Sequence, residues 1–387
     1  MVATPVSVCT NCQTEPPAVN ARKKHLCKEC FMMFIGSKVL RRMDRYRPRN
    51  VPKDKQIKLL LPLSFGVSSF TLLHVLDRHL ERQAANSLGR RSYNLHVLNV
   101  ETSAQPDSHR LEQVRETYPL HTYSQVPLHS IFRYDTAIKE VISEYAGSEF
   151  IDDDSKSDQE RLDNFRSSLS SATSRADIDG ILRMRLIVAV AREQQCEGIL
   201  WGDSDSRLAS KALAGVAKGR GFSLPWEVCD GMSPWGIQFN FPLRDLFKSE
   251  LASYASVGLP KSLVDTDSDT PRSMDNMSNK NMSIEDVMSH YVATQGEKYP
   301  GVMANIVRTI DKLQASPLSS SGDGSKCLLC GMPVDKSGEE DPATLGGMGT
   351  SQYVLEDTDR PPVTSTMCYG CARSRLDLKS PPPLAST

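Results

Sequence analysis

The sequence lacks any long uninterrupted apolar run and any excess of charge of one sign. Because no apolar run is long enough, no stretch is predicted to form a membrane-spanning helix. Charged residues make up 24% of its 387 residues, and the formal net charge is −1. Residues 1–5 contain no basic segment followed by an apolar one, and we therefore predict no secretory signal. Length and composition are typical of a soluble protein of two or three structural units.

Cysteine is nearly absent from the middle of the chain and concentrated at its ends. Eight of the ten cysteines form four C-x-x-C pairs: Cys9/Cys12, Cys27/Cys30, Cys327/Cys330 and Cys368/Cys371. Two residues between thiolates let both sulfurs reach one tetrahedral ion, and two such pairs complete a closed site. The pattern predicts two structural zinc ions. Disulfides are the alternative, which the missing signal segment disfavours.

A run of positive charge follows the first cysteine pairs. Between Arg22 and Lys58 there are thirteen Lys/Arg residues against three acidic ones, a local charge of +10. The densest part, residues 38–49, is predicted to place Lys38, Arg41, Arg42 and Arg45 near one helix face, with Arg47 just beyond. Phe31, Phe34 and Tyr46 are interleaved. A basic run with aromatic residues beside a metal module indicates RNA; a merely solvated face is the alternative.

Strand-like and helix-like segments alternate from residue 57 to about 255. Strands are predicted at 57–63, 93–100, 120–126, 198–201 and 237–241. Helices are predicted at 69–83, 107–117, 131–145, 177–194, 206–217 and 243–255. This alternation predicts an α/β fold with a doubly wound, mostly parallel sheet, in which ligands bind at the carboxyl ends of the strands.

Two polar stretches interrupt the alternation. Residues 152–174 and 261–283 are rich in Asp and Ser without a sustained apolar period, so we predict disordered insertions there. Helices are predicted again at 284–292 and 302–313. The predicted organisation is an N-terminal zinc module with its basic helix (1–50), an α/β domain (51–315), and a C-terminal zinc module with a Pro-rich tail (316–387).

The chain is organised around residues 57–77, where a buried strand leads through a small-residue loop into a helix. The loop reads Ser64-Phe65-Gly66-Val67-Ser68-Ser69. A strand, loop and helix in this order bring backbone N–H groups and the positive end of a helix dipole together, which is a geometry that binds phosphate. An ordinary turn with Ser68 or Ser69 as the N-cap is the alternative.

The loop resembles, in degenerate form, the pyrophosphate-binding loop of the PP-loop ATP-pyrophosphatase superfamily, Ser-Gly-Gly-x-Asp-Ser. Ser64, Gly66 and Ser69 match the motif. Phe65 replaces a glycine and Ser68 an aspartate. The resemblance implies the PP-loop fold, which is adenine nucleotide alpha hydrolase-like.

Nearly the whole chain is similar to the cytoplasmic tRNA 2-thiolation protein 2 family. The opening CTNCQTEP…CKECF, the basic helix and the order of zinc module, PP-loop domain and zinc module carry this resemblance. The turn with Gly202 and Asp203 resembles the one that touches the nucleotide in active relatives. Ser206 and Arg207 stand where those relatives have paired aspartates.

Other departures argue against catalysis by this chain. Ala176 and Asp179 stand where active thiolases carry cysteines of an iron–sulfur cluster, and no cysteine lies between Cys229 and Cys327. Phe65 adds a bulky side chain where only glycine allows close approach to phosphate. The resemblance therefore implies no catalytic residues and no iron–sulfur cluster, and it puts ATP binding in doubt.

As the resemblance implies, the chain is a cytoplasmic subunit that pairs as a heterodimer with a catalytic thiolase. The complex would place sulfur from a ubiquitin-related modifier carrier on the wobble uridine of tRNA. The chain itself would bind tRNA through Lys38, Arg41, Arg42, Arg45, Arg47 and Arg183, the last being alternatively an ordinary exposed helix arginine. Two other functions stay open: an active ATP-dependent sulfurtransferase that uses Cys196 or Cys229, and a zinc-ribbon scaffold that binds only proteins.

Overall fold

The computed structural model describes residues 8–52, 55–85, 91–101, 108–265, 282–313, 326–334 and 367–379. Its strands are β1 (Val19–Ala21), β2 (Lys24–Leu26), β3 (Ile57–Pro62), β4 (Tyr93–Glu101), β5 (Thr122–Pro127), β6 (Gly198–Leu200), β7 (Gly231–Met232) and β8 (Gln238–Asn240). Its helices are α1 (Lys28–Arg42), α2 (Val67–Ala85), α3 (Ser108–Thr117), α4 (Ile131–Tyr134), α5 (Ile138–Ala146), α6 (Asp158–Ser168), α7 (Ala172–Glu193), α8 (Asp205–Ala217), α9 (Leu224–Glu227), α10 (Lys248–Gly258), α11 (Ile284–Lys298), α12 (Pro300–Ile310) and α13 (Tyr369–Arg375). Among these helices, none is both long and apolar enough to cross a membrane.

Six strands form the central sheet in the order β5-β4-β3-β6-β8-β7. All neighbouring pairs are parallel except β7 with β8, which is an antiparallel edge. The chain moves outward from β3 to β4 and β5 on one side, then returns to β6 on the other. This reversal makes the carboxyl ends of β3 and β6 the topological switch point, where open α/β sheets bind ligands. The predicted doubly wound, mostly parallel sheet is confirmed.

Apolar residues cover both faces of this sheet and define two clusters. One cluster joins the first cysteine module to β3 and α2, and it includes Cys9, Phe31 and Leu61. The other joins the second cysteine module to α7, α8 and α12, and it includes Cys371. Each cysteine module therefore packs against the α/β domain rather than standing apart from it.

The predicted disorder of residues 152–174 is wrong. Helix α6 occupies residues 158–168 of this stretch, and α7 already begins at Ala172 rather than at 177. Leu162 and Phe165 are fully buried, and a capping box between Ser157 and Glu160 starts α6. Few apolar residues suffice here because they all face the core. Residues 266–281 of the second polar stretch lie outside the described residues, as do residues 314–325 and the Pro-rich tail from residue 380 onward.

Two predicted helices also differ from the structure. The helix predicted at 131–145 is broken at Asp135, whose backbone is extended and whose carboxylate accepts a 2.7 Å hydrogen bond from Arg185. The helix predicted at 243–255 begins only at Lys248, where the Glu250 carboxylate accepts a 2.9 Å hydrogen bond from the Phe247 N–H. In both places a carboxylate accepts a hydrogen bond at the point where the predicted helix is interrupted. The donor is a distant arginine in the first case and a backbone N–H in the second.

Candidate functional site

The first four-cysteine group joins a turn to the start of a helix. Cys9 and Cys12 lie in the turn, and Cys27 and Cys30 lie at the N-cap and in the first turn of α1. Between the two pairs, β1 and β2 form an antiparallel hairpin. The Asn11 backbone N–H and side-chain amide donate to the sulfurs of Cys9 and Cys30, each at 3.4 Å.

The second group repeats this arrangement. Cys327 and Cys330 lie in a turn, and Cys368 and Cys371 occupy the N-cap and first turn of α13. Gly331, just after the turn, has φ +69, as Gln13 has φ +59 after the first turn. A Cβ at Gly331 would lie 2.4 Å from the Trp235 ring, so only glycine fits there.

The sulfur positions suit one tetrahedral ion in each group. All four Sγ atoms of a group lie within 4.8 Å of one another, with 3.8 Å between Cys12 and Cys27 and 3.7 Å between Cys330 and Cys368. Four sulfurs at about 2.3 Å from a tetrahedral zinc would be about 3.8 Å apart. A cluster of several metal ions would need wider spacing. The predicted zinc ligands therefore come together as two compact sites.

A buried cation distinguishes the second site from the first. The Arg220 guanidinium donates to the sulfurs of Cys368 and Cys371 at 3.4 and 3.3 Å. Its other nitrogen donates to Asp177 at 2.5 Å, and Lys218 and Ser374 donate to the same carboxylate. Although burial favours the neutral acid, Arg220 and Lys218 hold the pKa of Asp177 below its ordinary value. Sequence spacing gave no signal for Arg220, since its partners lie 43 to 151 residues away.

The loop at the end of β3 is closed by the protein itself. Phe65 is buried with φ +59, and the Arg110 guanidinium lies over its ring at 4.6 Å. The Asp265 N–H donates to the Phe65 carbonyl at 2.9 Å. The Ser69 hydroxyl lies 3.1 Å from that of Ser64 and donates to the Gly66 carbonyl at 3.2 Å. Ser68 is half-buried on the first turn of α2.

The second nucleotide-turn segment packs tightly on this loop. A Cβ at Gly202 would lie 2.8 Å from the Ser69 Cα. Asp203 forms a 2.5 Å ion pair with Lys211 rather than facing an open site. On α7, Asp179 forms a 2.6 Å ion pair with Arg166, and Ala176 lies one turn before it. Among the described residues, the two four-cysteine sites are the only groups of three or more side chains that could hold a metal ion.

Only part of the predicted basic helix face is present. Lys38, Arg41 and Arg42 lie three and four residues apart on α1 and share one face, but α1 ends at Arg42. Arg45 lies in the 3-10 turn that follows, and Arg47 comes directly after that turn. Arg42 binds Asp245 with two hydrogen bonds of 2.7 and 3.0 Å, and Arg45 donates to Gln238 at 2.9 Å.

The remaining predicted RNA ligands lie apart from these contacts. Arg47 pairs with Asp44 at 2.9 Å, Arg41 is exposed, and Arg183 is exposed on α7. Of the interleaved aromatic residues, Phe31 and Tyr46 are buried in the core. Phe34 lies under Lys38, whose nitrogen is 5.1 Å from the ring centre.

A cationic cavity of about 260 Å³ lies beside the end of α1. It lies between α1, the segment 244–247, the start of α8 and helix α12. Its charged lining residues are Arg22, Lys38, Arg41, Arg42, Arg244, Arg308, Asp205, Asp245 and Asp311. Sequence reasoning missed Arg22, Arg244 and Arg308, because they are brought to α1 only by tertiary packing.

The two remaining cysteines are poor nucleophiles. Cys196 and Cys229 are both buried. Burial raises the pKa of each thiol to about 11. Since the thiolate is the reactive form, neither sulfur is prepared for transfer chemistry. Both cysteines belong to the apolar cluster that includes α7 and α8.

The fold and the two metal sites define a PP-loop-type α/β protein with a four-cysteine module packed at each end of its chain. Among solved structures, the U34-tRNA thiolase NcsA from Methanococcus maripaludis, with its [4Fe-4S] cluster, has a TM-score of 0.53 and 17% identity. The similarity covers 86% of this chain and 95% of NcsA. At this identity the likeness establishes the fold.

The chain belongs to the cytoplasmic tRNA 2-thiolation protein 2 family. The family's own model matches residues 283–373. A protein of that name from Ajellomyces capsulatus is 69% identical over 354 residues, which cover 92% of this chain and 97% of the relative. Another, from Coccidioides immitis, is 51% identical over 381 residues, covering 96% and 98%. The family resemblance read from the motifs is confirmed.

Proposed function

We propose that this chain is a non-catalytic subunit of the cytoplasmic complex that 2-thiolates the wobble uridine of tRNA. Its role is to bind tRNA and to support a catalytic thiolase with which it forms a heterodimer. Sulfur reaches that partner from a ubiquitin-related modifier carrier. Identity of 69% to a tRNA 2-thiolation protein over nearly the full length is the observation that carries this proposal.

The closed loop supports the assignment of catalysis to the partner. Phe65 stands where the PP-loop has glycine and is buried under Arg110, and Gly202 packs against Ser69. Phosphate binding at such a loop needs free backbone N–H groups and open space. A sulfurtransferase mechanism in this chain is further disfavoured by the buried thiols of Cys196 and Cys229.

Zinc is the metal we assign to both four-cysteine sites. Four thiolates at tetrahedral spacing suit zinc, and a closed ligand set stabilises a small module that lacks its own core. In each site the second cysteine pair lies at the start of a helix, whose positive end favours the thiolates. These ions would hold α1 and α13 in place without taking part in sulfur transfer.

The test is restoration of tRNA thiolation in cells that lack the chain. Deletion should abolish wobble 2-thiouridine, and a Cys196→Ser/Cys229→Ser double variant should restore it almost fully, because neither thiol carries sulfur. Mass spectrometry of digested tRNA measures the modification directly.

The control is the level of the variant protein and its recovery with the partner. Loss of 2-thiouridine in the double variant, at normal level and partner binding, would favour the active-enzyme alternative. Normal thiolation in the deletion strain would refute a role in the complex. If the purified complex had no affinity for tRNA, the remaining alternative would be a scaffold that binds only proteins.

A further inference from the structure

The cavity beside α1 is built from parts of the chain that are far apart in sequence. Helix α1 forms one wall, the segment 244–247 the second and α12 the third. Arg42 ties the first to the second through two hydrogen bonds to Asp245 of 2.7 and 3.0 Å. Arg22, in the β1–β2 turn before α1, binds Glu250 at 2.7 and 2.9 Å and the Asp245 carbonyl at 2.6 Å. Arg244 ties the second to the third through a 2.9 Å ion pair with Asp311. The walls are therefore fixed by ion pairs before any ligand arrives.

Six basic side chains line this cavity against three carboxylates. The carboxylates are already engaged: Asp245 accepts two hydrogen bonds from Arg42, and Asp311 pairs with Arg244. Asp205, the first residue of α8, accepts hydrogen bonds from the Ser206 N–H and hydroxyl. The cavity therefore keeps an excess of positive charge.

Three cations make no ion pair with any residue that the structure describes. Lys38 and Arg41 project from α1, and Arg308 projects from α12, where its contact is Asn305 at 3.4 Å. Burial, and then the nearby charge of Arg22, lowers the pKa of Lys38. An anion between these side chains would offset the repulsion and replace lost hydration.

We propose that this cavity binds a phosphate group of an RNA strand. The proposal rests on the tRNA binding of the proposed function and names the place where one backbone phosphate is held. A nucleotide is the less suitable source, because its base would need an aromatic surface. The face of Phe247, the one aromatic lining residue, is taken by Arg22, which lies 4.3 Å from the ring centre. The exposed Arg45 and Arg49 would guide the strand to the cavity.

The test compares two charge losses near the end of α12. Arg308→Gln removes a lining cation, whereas Lys312→Gln makes the same charge change just past the helix, outside the cavity. In the full chain with its metal ions, Arg308→Gln should weaken binding of a tRNA transcript about tenfold. It should also lower the slope of log affinity against log salt by about one. Lys312→Gln should stay within about twofold of wild type.

A second variant tests whether the loss of tRNA affinity in Arg308→Gln arises from the charge of the cavity. Ala304→Glu places a carboxylate on the cavity wall and keeps a good helix former in α12, so it should weaken tRNA binding at least as much. Unchanged metal content and melting temperature would establish that both variants fold. ATP and inorganic phosphate are titrated in parallel.

The outcomes separate this proposal from the proposed function. If Arg308→Gln and Ala304→Glu bind tRNA like wild type while Arg45→Glu/Arg49→Glu loses affinity, the cavity proposal is wrong and tRNA binding stands. If wild-type chain and complex bind no tRNA, the proposed function itself fails. If the cavity variants change ATP binding and leave tRNA binding intact, the occupant is a nucleotide and the assignment to RNA is overturned.

Discussion

At the scale of single residues, Arg220 has the clearest chemical role. A metal ion with four thiolates carries excess negative charge, and burying it without a counter-charge is unfavourable. Arg220 supplies that charge from within hydrogen-bond distance of two sulfurs, and Asp177 holds the guanidinium in place. At the first site the hydrogen bonds come from neutral Asn11. The two sites thus share geometry and differ in charge compensation.

Replacing Arg220 should weaken the second metal site selectively. Partners that orient metal ligands contribute about 10- to 100-fold to metal affinity, so Arg220→Met should lose one ion per chain at chelator concentrations that wild type withstands. Competition with a chromogenic chelator, followed by elemental analysis, measures this. Arg373→Met, an exposed change in α13, is the matched control. If both variants retained their metal ions equally well, Arg220 would have no role in stabilising the second metal site.

Phe65 illustrates what a sequence alone can and cannot establish at one position. The motif indicated that a side chain stands where the PP-loop has glycine. It did not indicate that Arg110 lies over this side chain or that the residue 265 N–H binds the Phe65 carbonyl, because both contacts come from segments distant in sequence. The departure is local, whereas the closure depends on the tertiary structure.

At the scale of elements, the sheet strands were predictable and α6 was not. Parallel strands buried on both faces read as nearly continuous apolar runs, and β3 is of this kind. Helix α6 buries only a few side chains among many charges, so its apolar period was too sparse to recognise. The Ser157 to Glu160 capping box was nevertheless visible in the sequence as Ser-Asp-Gln-Glu.

The cap of α6 gives a prediction for that element. The Ser157 hydroxyl accepts from the Glu160 N–H at 3.3 Å, and the Glu160 carboxylate accepts from the Ser157 N–H at 3.0 Å. Ser157→Ala should lower the free energy of unfolding by about 1 kcal/mol, because it leaves a helix N–H without its partner. Urea denaturation measures the change. Ser167→Ala, near the other end of α6, should change the free energy of unfolding much less. Equal decreases in the two variants would mean that the N-cap does not stabilise the helix.

At the scale of the whole molecule, the metal modules are part of the core. The first module shares an apolar cluster with β3 and α2, and Arg22 and Arg42 pair with acids of the segment 245–250. The division at residues 50/51 and 315/316 remains a prediction about sequence organisation. Cysteine spacing could predict the two sites, but not the surfaces on which the modules pack.

Removing one ligand should therefore disturb more than its own module. Cys27→Ser should lower the zinc content by one ion per chain and increase hydrogen exchange in α1 and also in α10, which packs on it. Cys368→Ser should also lose one ion, with the increase in α13 and α7 instead. Elemental analysis measures the zinc content, and mass spectrometry measures the hydrogen exchange. Exchange confined to residues 8–30 in the first variant would show that the module is independent.

The second cysteine module also ties together segments that are synthesised at very different times. The Ser170 N–H donates to the Asp377 carbonyl, and the Lys379 N–H donates to the Ser168 carbonyl, each at 2.8 Å. Until residues 367–379 leave the ribosome, the junction of α6 and α7 and the Arg220–Asp177 pair lack these partners. A chain cut short by a premature stop would leave the Arg220–Asp177 pair without the two thiolates and the Ser374 hydroxyl that complete its hydrogen bonds. The fold thereby makes completion of translation a condition for a closed core.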